Sequence, residues 1–238
     1  MNLVAWDLEC SSLNADYGVI LCAGFKSIGK PGVEVISISD FPGYAKEPTN
    51  DKELCKAIAK RLMEADVWVT WYGTYFDIPF INSRLLFWKL PTLPVPFPHI
   101  DGWKTARNRL KLRNNRLNTV QDFLQLKTEK DAVKGPVWVR AIAGHRPSLQ
   151  YVIDHCKKDV KVLEEAYYRL RPLIGDHPNA SLLKDGKCPL CAANRLQKRG
   201  FHLTRTRKYQ RLQCQECGGW TKDPKPVAVS RLATAASV

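Results

Sequence analysis

The sequence predicts an α/β domain followed by a small cysteine-rich module. Strand-like and helix-like segments alternate over the first two thirds of the chain, and a turn-rich stretch follows Pro172. After that stretch, four cysteines occur as two closely spaced pairs. We therefore divide the 238 residues into a domain (1–172), a linker (173–186), the cysteine-rich module (187–225) and a disordered tail (226–238).

The first predicted elements are three strands and a helix. Residues 2–9, 17–28 and 33–39 have the apolar patterning of strands and are expected to form a meander. The segment DKELCKAIAKRLMEA (51–65) has apolar residues at helical spacing, with Asp51 in the position of an N-cap. Three strands therefore precede the first helix.

The alternation continues through the rest of the domain. VWVTWY (67–72) is typical of a buried strand, and a helix is predicted to begin near FDIPF (76–80). The Pro-rich stretch at 90–98 indicates a loop, and helices are predicted over 104–126 and 148–171. Together these segments make an α/β pattern.

The charge of the chain favours a polyanionic partner. The formal net charge is +14, and two runs, 104–116 and 195–211, contain several cations and no acid. Each run alone could be a solvated surface, but two in one chain favour nucleic acid over an anionic membrane surface. The residues predicted to contact nucleic acid are Lys104, Arg107, Lys111, Arg199, Arg205, Arg207, Lys208 and Tyr209.

The sequence predicts neither a membrane span nor a secretory signal. The longest apolar runs fall short of the roughly 18 to 20 residues that a membrane helix needs. The start of the chain, MNLVAWDLE, lacks a basic region followed by an apolar stretch. We therefore expect a cytoplasmic protein.

The motifs CPLC (188–191) and CQEC (214–217) predict a metal site. Their cysteines are Cys188, Cys191, Cys214 and Cys217. Two such pairs, about 22 residues apart, supply the four thiolates that structural zinc prefers. Disulfides are the alternative, which an intracellular location disfavours. The segment resembles a zinc ribbon, a module that binds nucleic acid or protein, whereas Cys10, Cys22, Cys55 and Cys156 are predicted to be buried thiols.

Three acids occur where strands and helices would present them to a metal. Asp7 and Glu9 are two residues apart in the first strand, so both side chains leave the same face and could share metal ions. Asp77 precedes Pro79 and is expected at a helix N-terminus, where the alternative role is an ordinary N-cap. None of these signals is specific by itself.

The stretch HCKKDV (155–160) allows three interpretations. His155 and Asp159 could be solvated, His155 could share a zinc site with Cys156, or the pair could belong to a hydrolytic centre. Cys156 falls on the apolar stripe of the predicted helix, and Asp159 falls on the shoulder of that stripe. His155 lies one turn earlier, so both polar side chains can face a cleft beside the sheet.

Taken together, these motifs resemble a known family. DLE (7–9), FD (76–77) and HCKKDV look like the three sequence blocks of the DEDD exonucleases, a division of the ribonuclease H-like superfamily that includes polymerase proofreading domains. The finer pattern, with FDIPF followed by Arg84 and then HID (99–101), is similar to YprB-type proteins. The resemblance covers residues 1–172.

The resemblance implies a ribonuclease H-like mixed sheet flanked by helices, and a two-metal phosphodiesterase. It identifies Asp7, Glu9, Asp77 and Asp159 as ligands of two Mg²⁺ or Mn²⁺ ions. His155 would take the proton from the attacking water. Two features differ from the usual family pattern: three residues rather than four separate His155 from Asp159, and Tyr72 occupies a position where Asn is usual.

The implied activity is that of a 3′ to 5′ exonuclease on single-stranded ends, with DNA favoured over RNA. Two alternatives remain open at this point. One is a ribonuclease or a structure-selective endonuclease of the same fold, and the other is a nucleic-acid-binding module without catalytic activity.

Overall fold

The computed structural model describes residues 1–94, 96–128, 133–179 and 186–227. The chain divides into two compact units, Met1–Leu170 and Arg171–Val238. The predicted linker and tail boundaries stay predictions, because residues 180–185 and 228–238 lie outside the described residues.

The first unit contains a mixed sheet, as the resemblance implied. In the described part of the chain its order is β3-β2-β1-β4-β5, with β1 antiparallel to β2, β2 antiparallel to β3, and the pairs β1/β4 and β4/β5 parallel. The strands are β1 (Leu3–Cys10), β2 (Ile20–Ser27), β3 (Glu34–Ser37), β4 (Val67–Thr70) and β5 (His99–Asp101). The predicted three-stranded meander is therefore present as β1 to β3.

Helices flank this sheet, and they are α1 (Lys52–Met63), α2 (Asp77–Phe87), α3 (Gly102–Arg109), α4 (Leu117–Leu124), α5 (Gly135–Ile142) and α6 (Arg146–Leu170). Among the described residues, no helix has both the length and the apolarity needed to cross a membrane. Helix α6 packs closely on β2, since a β-carbon at Gly24 would lie only 2.9 Å from Cys156 Sγ. Glycine at this position therefore permits the contact between α6 and the sheet.

The opposite face of the sheet carries much of the hydrophobic core. Val4, Trp6 and Leu8 alternate along β1 and are buried, as the sequence predicted. Trp6 meets Trp68 edge to face at 6.2 Å, and Trp68 stacks on Phe97 at 3.9 Å between ring centroids. These large aromatic contacts fix β1 and β4 as neighbours at the centre of the unit.

Three elements differ from the sequence prediction. The single helix predicted over 104–126 is two helices, α3 and α4, separated by residues 110–116. A tertiary contact stabilises the non-helical segment between them: Trp71 Nε1 donates a hydrogen bond to the carbonyl of Asn115 at 3.0 Å. Strand β5 and helix α5 were not predicted, since a three-residue strand and an eight-residue helix leave weak periodic signals.

Asp51 lies at the N-cap position of α1 but makes no side-chain capping bond, so its predicted role as a cap is wrong. Its carboxylate instead accepts hydrogen bonds from Arg84 Nε and Nη2, at 2.9 and 2.7 Å, and from Ile20 N and Trp88 Nε1. Both charged groups are almost fully buried. This cluster connects α1, β2 and α2, and therefore fixes the position of α2 relative to the sheet.

Replacing Arg84 with Met should destabilise the first unit by about 3 to 5 kcal/mol, because it leaves the buried Asp51 carboxylate without its cation. Urea unfolding followed by tryptophan fluorescence would measure the change. Arg61→Met is the matched control, since the partner of Arg61, Glu34, is half exposed and the expected cost is about 1 kcal/mol. Equal costs for the two variants would contradict the structural role of the Asp51–Arg84 pair.

The second unit contains a three-stranded antiparallel sheet in the order β6-β7-β8. Its strands are β6 (Leu196–Leu203), β7 (Lys208–Cys214) and β8 (Trp220–Pro226). Among the residues that the structure describes, Cys188, Leu190 and Cys214 form its buried apolar cluster. So small an apolar core is insufficient for a unit of this size, which suggests that a metal stabilises it.

Candidate functional site

The candidate site lies where the parallel strands of the first unit end. The pairing of β1 with β4 reaches Ala5 and Val69, and the pairing of β4 with β5 reaches Thr70 and Asp101. The carboxyl ends of these three strands therefore meet at one edge of the sheet. Such an edge is the usual position of a ligand site in α/β proteins.

Acids from β1 meet the polar side of α6 at this edge. The carboxylates of Glu9 and Asp159 and the imidazole of His155 each offer an atom within 4.8 Å of the other two. His155 Nε2 lies 3.6 Å from Asp159 Oδ2 and 4.0 Å from Glu9 Oε1. Asp7 is next to Glu9 in a second group of this kind. Helical spacing predicted that His155 and Asp159 lie on one side of a helix, and the structure is consistent with this prediction.

Asp77 is joined to the same strand through the backbone. It is the first residue of α2, and its Oδ1 accepts a hydrogen bond from Leu8 N, between Asp7 and Glu9, at 3.0 Å. Burial raises the pKa of Asp77 to about 7, against the opposing effect of hydrogen bonds from backbone N–H groups. A divalent cation next to Asp77 would offset this effect of burial and favour the ionised carboxylate.

Cys156 also lies beside the acids, although the sequence predicted only a buried thiol. Its Sγ belongs to the same group as Asp7 and Glu9, and it donates a hydrogen bond to the Asp7 carbonyl at 3.8 Å. The hydrogen bond that the Cys156 thiol donates to Cys22, and then burial, raise the pKa of Cys156 well above its ordinary value. Cys156 therefore stays a neutral thiol and is a poor ligand for a hard cation.

Asp101 organises the loop before Asp77, a role that was not predicted from the sequence. Its Oδ1 accepts hydrogen bonds from Tyr72 N and Trp103 N, at 2.9 and 3.1 Å, and its Oδ2 accepts one from Thr74 N at 3.1 Å. The HID motif contained the signal, because an aspartate just before GWK is a typical N-cap. Asp101 thus holds the β4–α2 loop against the start of α3.

Three aromatic rings, Tyr72, Tyr75 and Trp103, form a cluster in this region, which we term the aromatic platform. Ring centroids are 5.2 Å apart for the two tyrosines, 4.9 Å for Tyr72 and Trp103, and 5.7 Å for Tyr75 and Trp103. Lys104 Nζ lies over the Tyr75 ring and Arg107 Cζ over the Trp103 ring. The platform therefore brings two of the predicted nucleic-acid-binding cations together.

The third cation predicted in this region is placed differently. Lys104 and Arg107 lie on α3, whereas Lys111 lies in the segment after this helix and is exposed.

Beside the platform, a groove of 680 Å³ lies between residues 13–16 and α2, and Tyr75 and Phe76 contribute to its wall. None of the four candidate metal-binding carboxylates lines this groove, so we do not identify it with the chemical centre.

The second unit brings Cys188, Cys191, Cys214 and Cys217 together, with their sulfurs within 4.8 Å of one another. The pairs Cys188/Cys217 and Cys191/Cys214 are each separated by 3.7 Å. Disulfide bonds are about 2.05 Å long, whereas a tetrahedron with Zn–S bonds of about 2.3 Å has edges of about 3.8 Å. The cluster is therefore compatible with the predicted zinc ribbon.

The loops around the cysteines fit this arrangement. Ala192 and Gly218, each following the second cysteine of a pair, have positive φ angles of 60° and 72°. Their N–H groups donate to the carbonyls of Cys188 and Cys214, the first cysteine of each pair. Two loops of similar backbone geometry thus approach the same metal position.

The predicted cations of the second unit lie on the β6–β7 hairpin. Arg199 is in β6, Arg205 and Arg207 are in the turn, and Lys208 and Tyr209 begin β7. Three further residues, which were not predicted from the sequence, lie on the face that carries Tyr209: Arg211, Trp220 and Lys222. Lys222 Nζ lies 4.5 Å from the Tyr209 ring centroid, and Arg211 Cζ lies 4.4 Å from that of Trp220.

The comparisons with known proteins agree with this architecture. The family model RNase_H_2, described as RNase_H superfamily, matches residues 4–171. No curated protein sequence matches the chain significantly. Among solved structures, a family B DNA polymerase from the hyperthermophilic archaeon Pyrobaculum calidifontis superposes with a TM-score of 0.56 at 17% identity. The match covers 72% of this chain and 25% of the polymerase chain, and it supports the fold alone.

Proposed function

Because the chain belongs to the RNase_H superfamily, whose members are generally nucleases, we propose that it is a two-metal-ion-dependent 3′ to 5′ exonuclease. Its substrate would be nucleic acid, with single-stranded DNA ends favoured. One observation carries the proposal: Glu9, His155 and Asp159 offer atoms within 4.8 Å of one another, and Asp77 accepts a hydrogen bond from Leu8 N, next to Glu9 in β1.

The donor set suits hard divalent cations. Glu9, Asp77 and Asp159 are each at least nine-tenths buried, and grouping such carboxylates without a cation would be costly. Carboxylate oxygen is the preferred ligand of Mg²⁺ and Mn²⁺. Asp7, Glu9, Asp77 and Asp159 would hold two such ions. When bound, these ions polarise the phosphoryl group and stabilise the charge that develops during an in-line displacement.

The other groups of the site would position water and the leaving strand. His155 Nε2 faces the carboxylates of Glu9 and Asp159, where a neutral imidazole can accept the proton of the attacking water. Asp101 keeps the loop before Asp77 in place through three backbone hydrogen bonds. Lys104 and Arg107 would bind phosphates of the strand next to the scissile bond.

The second unit would be a structural zinc ribbon that binds nucleic acid by itself. Arg211 and Lys222 stack on aromatic rings of the Tyr209 face, where they can meet phosphates while the rings stack on bases. Arg199, Arg205, Arg207 and Lys208 would add sequence-independent phosphate contacts along the hairpin. Both units therefore favour nucleic acid as the partner.

A 5′-labelled single-stranded oligonucleotide incubated with Mg²⁺ tests the proposed activity. We expect a ladder that shortens from the 3′ end and that disappears when Mg²⁺ is chelated. A single internal cut would instead indicate a structure-selective endonuclease, and binding without cleavage would indicate a non-catalytic module. Parallel DNA and RNA substrates of the same sequence would determine the preferred sugar.

Replacing His155 with Ala should lower the cleavage rate about 10²- to 10⁴-fold, the usual contribution of a positioned general base. Mn²⁺ affinity, measured by calorimetry, should stay nearly the same. The same substitution at His145, just before α6, is the control and should leave the rate unchanged. If His155→Ala lowers Mn²⁺ affinity as strongly as the rate, then His155 is a metal ligand and its assignment as the base is wrong.

A further inference from the structure

The aromatic platform of Tyr72, Tyr75 and Trp103 exposes apolar surface without an evident packing role. Tyr72 is 43% exposed and Tyr75 is 55% exposed, although both belong to the short loop that leads into the buried Asp77. Exposed aromatic residues contribute little to folding, since they stay in contact with water. Two such rings packed on the half-buried Trp103 are therefore better explained by a ligand that covers them.

The backbone at Tyr72 supports the same conclusion. Its φ angle of 69° lies in the left-handed region, which favours Gly and Asn and costs a bulky residue about 1 to 3 kcal/mol. Hydrogen bonds to other residues stabilise this conformation. Tyr72 N donates to the Asp101 carboxylate, and the Tyr72 carbonyl accepts from the N–H groups of Tyr75 and Phe76. An aromatic ring thus occupies a position where a smaller residue would be more stable.

The charge around the platform indicates the chemistry of the ligand. Lys104 Nζ and Arg107 Cζ lie 5.4 and 5.3 Å from the centroids of Tyr75 and Trp103, respectively. Neither cation forms an ion pair with an acid among the described residues, and the Asp101 carboxylate is occupied by backbone N–H groups. Partly exposed rings that carry cations without acid partners fit a ligand that combines flat bases with phosphates.

We propose that the aromatic platform stacks the unpaired bases next to the scissile phosphate and thereby selects single-stranded ends. This proposal rests on the proposed nuclease function and assigns its strand specificity to named residues. Only four residues separate Tyr72 from Asp77, and Ile78 N donates to the Gly73 carbonyl, so the platform and the candidate metal site share one hydrogen-bonded turn. Bases within a duplex are already stacked and paired, so their faces cannot reach the rings.

Binding can be tested without cleavage in an Asp7→Asn background, with Ca²⁺ in place of Mg²⁺. The probes are a short DNA strand with 2-aminopurine at its 3′ end and a blunt duplex of the same sequence. Tyr72→Asn suits the left-handed backbone and removes the ring. We expect it to weaken single-strand binding about tenfold, because stacking contributes about 1 to 3 kcal/mol per base. Trp103→Ala should do the same, and duplex affinity should not change.

Phe123→Asn is the matched control, since Phe123 is an exposed ring on α4 outside the platform, and it should leave single-strand affinity unchanged. Parental protein should quench 2-aminopurine, and Tyr72→Asn should remove this quenching without lowering the melting temperature. Unchanged affinity and quenching in both platform variants would overturn the proposal, as would equal losses for duplex and single strand. Because no hydrolysis is measured, failure of the proposed nuclease activity would be visible separately, in the Mg²⁺ assay of the parental chain.

Discussion

Replacing Asp159 with Asn is expected to lower the rate of phosphodiester cleavage about 10³-fold or more, which corresponds to a loss of several kcal/mol of transition-state stabilisation. Asp159 is buried on α6, and its carboxylate lies within 4.8 Å of donor atoms on Glu9 and His155. An amide of the same size removes the negative charge and leaves no cavity. The loss should therefore reflect metal binding rather than packing.

Stability provides an independent measurement for the same variant. Without metal ions, neighbouring carboxylates at this site repel one another, so Asp159→Asn should leave the melting temperature of metal-free protein unchanged or higher. Added Mn²⁺ should then stabilise the variant less than the parental protein, because ligands that favour the folded state raise its stability. Thermal denaturation with and without Mn²⁺ measures both effects.

Asp154→Asn is the matched control on the same helix. Asp154 is more than half exposed, and its carboxylate pairs with Lys157 and Gln150 at the surface. Its substitution should change the cleavage rate less than about threefold, because surface ion pairs contribute at most about 1 kcal/mol. Similar rates for Asp159→Asn and Asp154→Asn would remove Asp159 from the proposed metal set.

The second large effect concerns the four cysteines of the ribbon. Elemental analysis should find one zinc per chain, and the double variant Cys188→Ser and Cys191→Ser should contain none. Structural zinc contributes apparent binding energies of about 10 to 16 kcal/mol in small metal-dependent folds. Because the second unit has so few buried apolar residues, its sheet should unfold when the metal is lost.

Hydrogen exchange of the β7 amides would follow this unfolding directly. In the double variant these amides should exchange at the rate of an unfolded chain, while those of β1 keep their protection. Cys55→Ala is the control, since Cys55 is buried in the first unit and should leave the zinc content unchanged. Protected β7 amides in a zinc-free protein would show that the ribbon does not require metal.

Much of the architecture could be predicted because its signals are local. The alternation of Val4, Trp6 and Leu8 put Asp7 and Glu9 on one face of β1, and the helical spacing of α6 put His155 and Asp159 on one side. The paired cysteines likewise define a four-thiolate set by their spacing alone. Periodicity of two or 3.6 residues belongs to a single element, so it is readable without knowing its neighbours.

Other predictions failed because tertiary contacts decided them. Asp51 was expected to cap α1, yet its carboxylate is turned toward Arg84, thirty-three positions away. The helix expected over 104–126 is interrupted where Asn115 bonds to Trp71. In both cases a distant polar partner outweighs the local preference, and no local pattern identifies that partner.

The amino-acid sequence by itself determined the α/β class and the cysteine set, because spacing within one strand, helix or loop is enough to specify them, and the combination of three motifs indicated the candidate acids. Only the tertiary structure decided that β1, α2 and α6 meet at one sheet edge, and that Asp101 holds Tyr72 in a left-handed conformation beside Trp103. The physical reason is that these features depend on side chains and backbone groups that are distant in the chain. The contacts between these groups form only after the sheet has brought the carboxyl ends of its strands together.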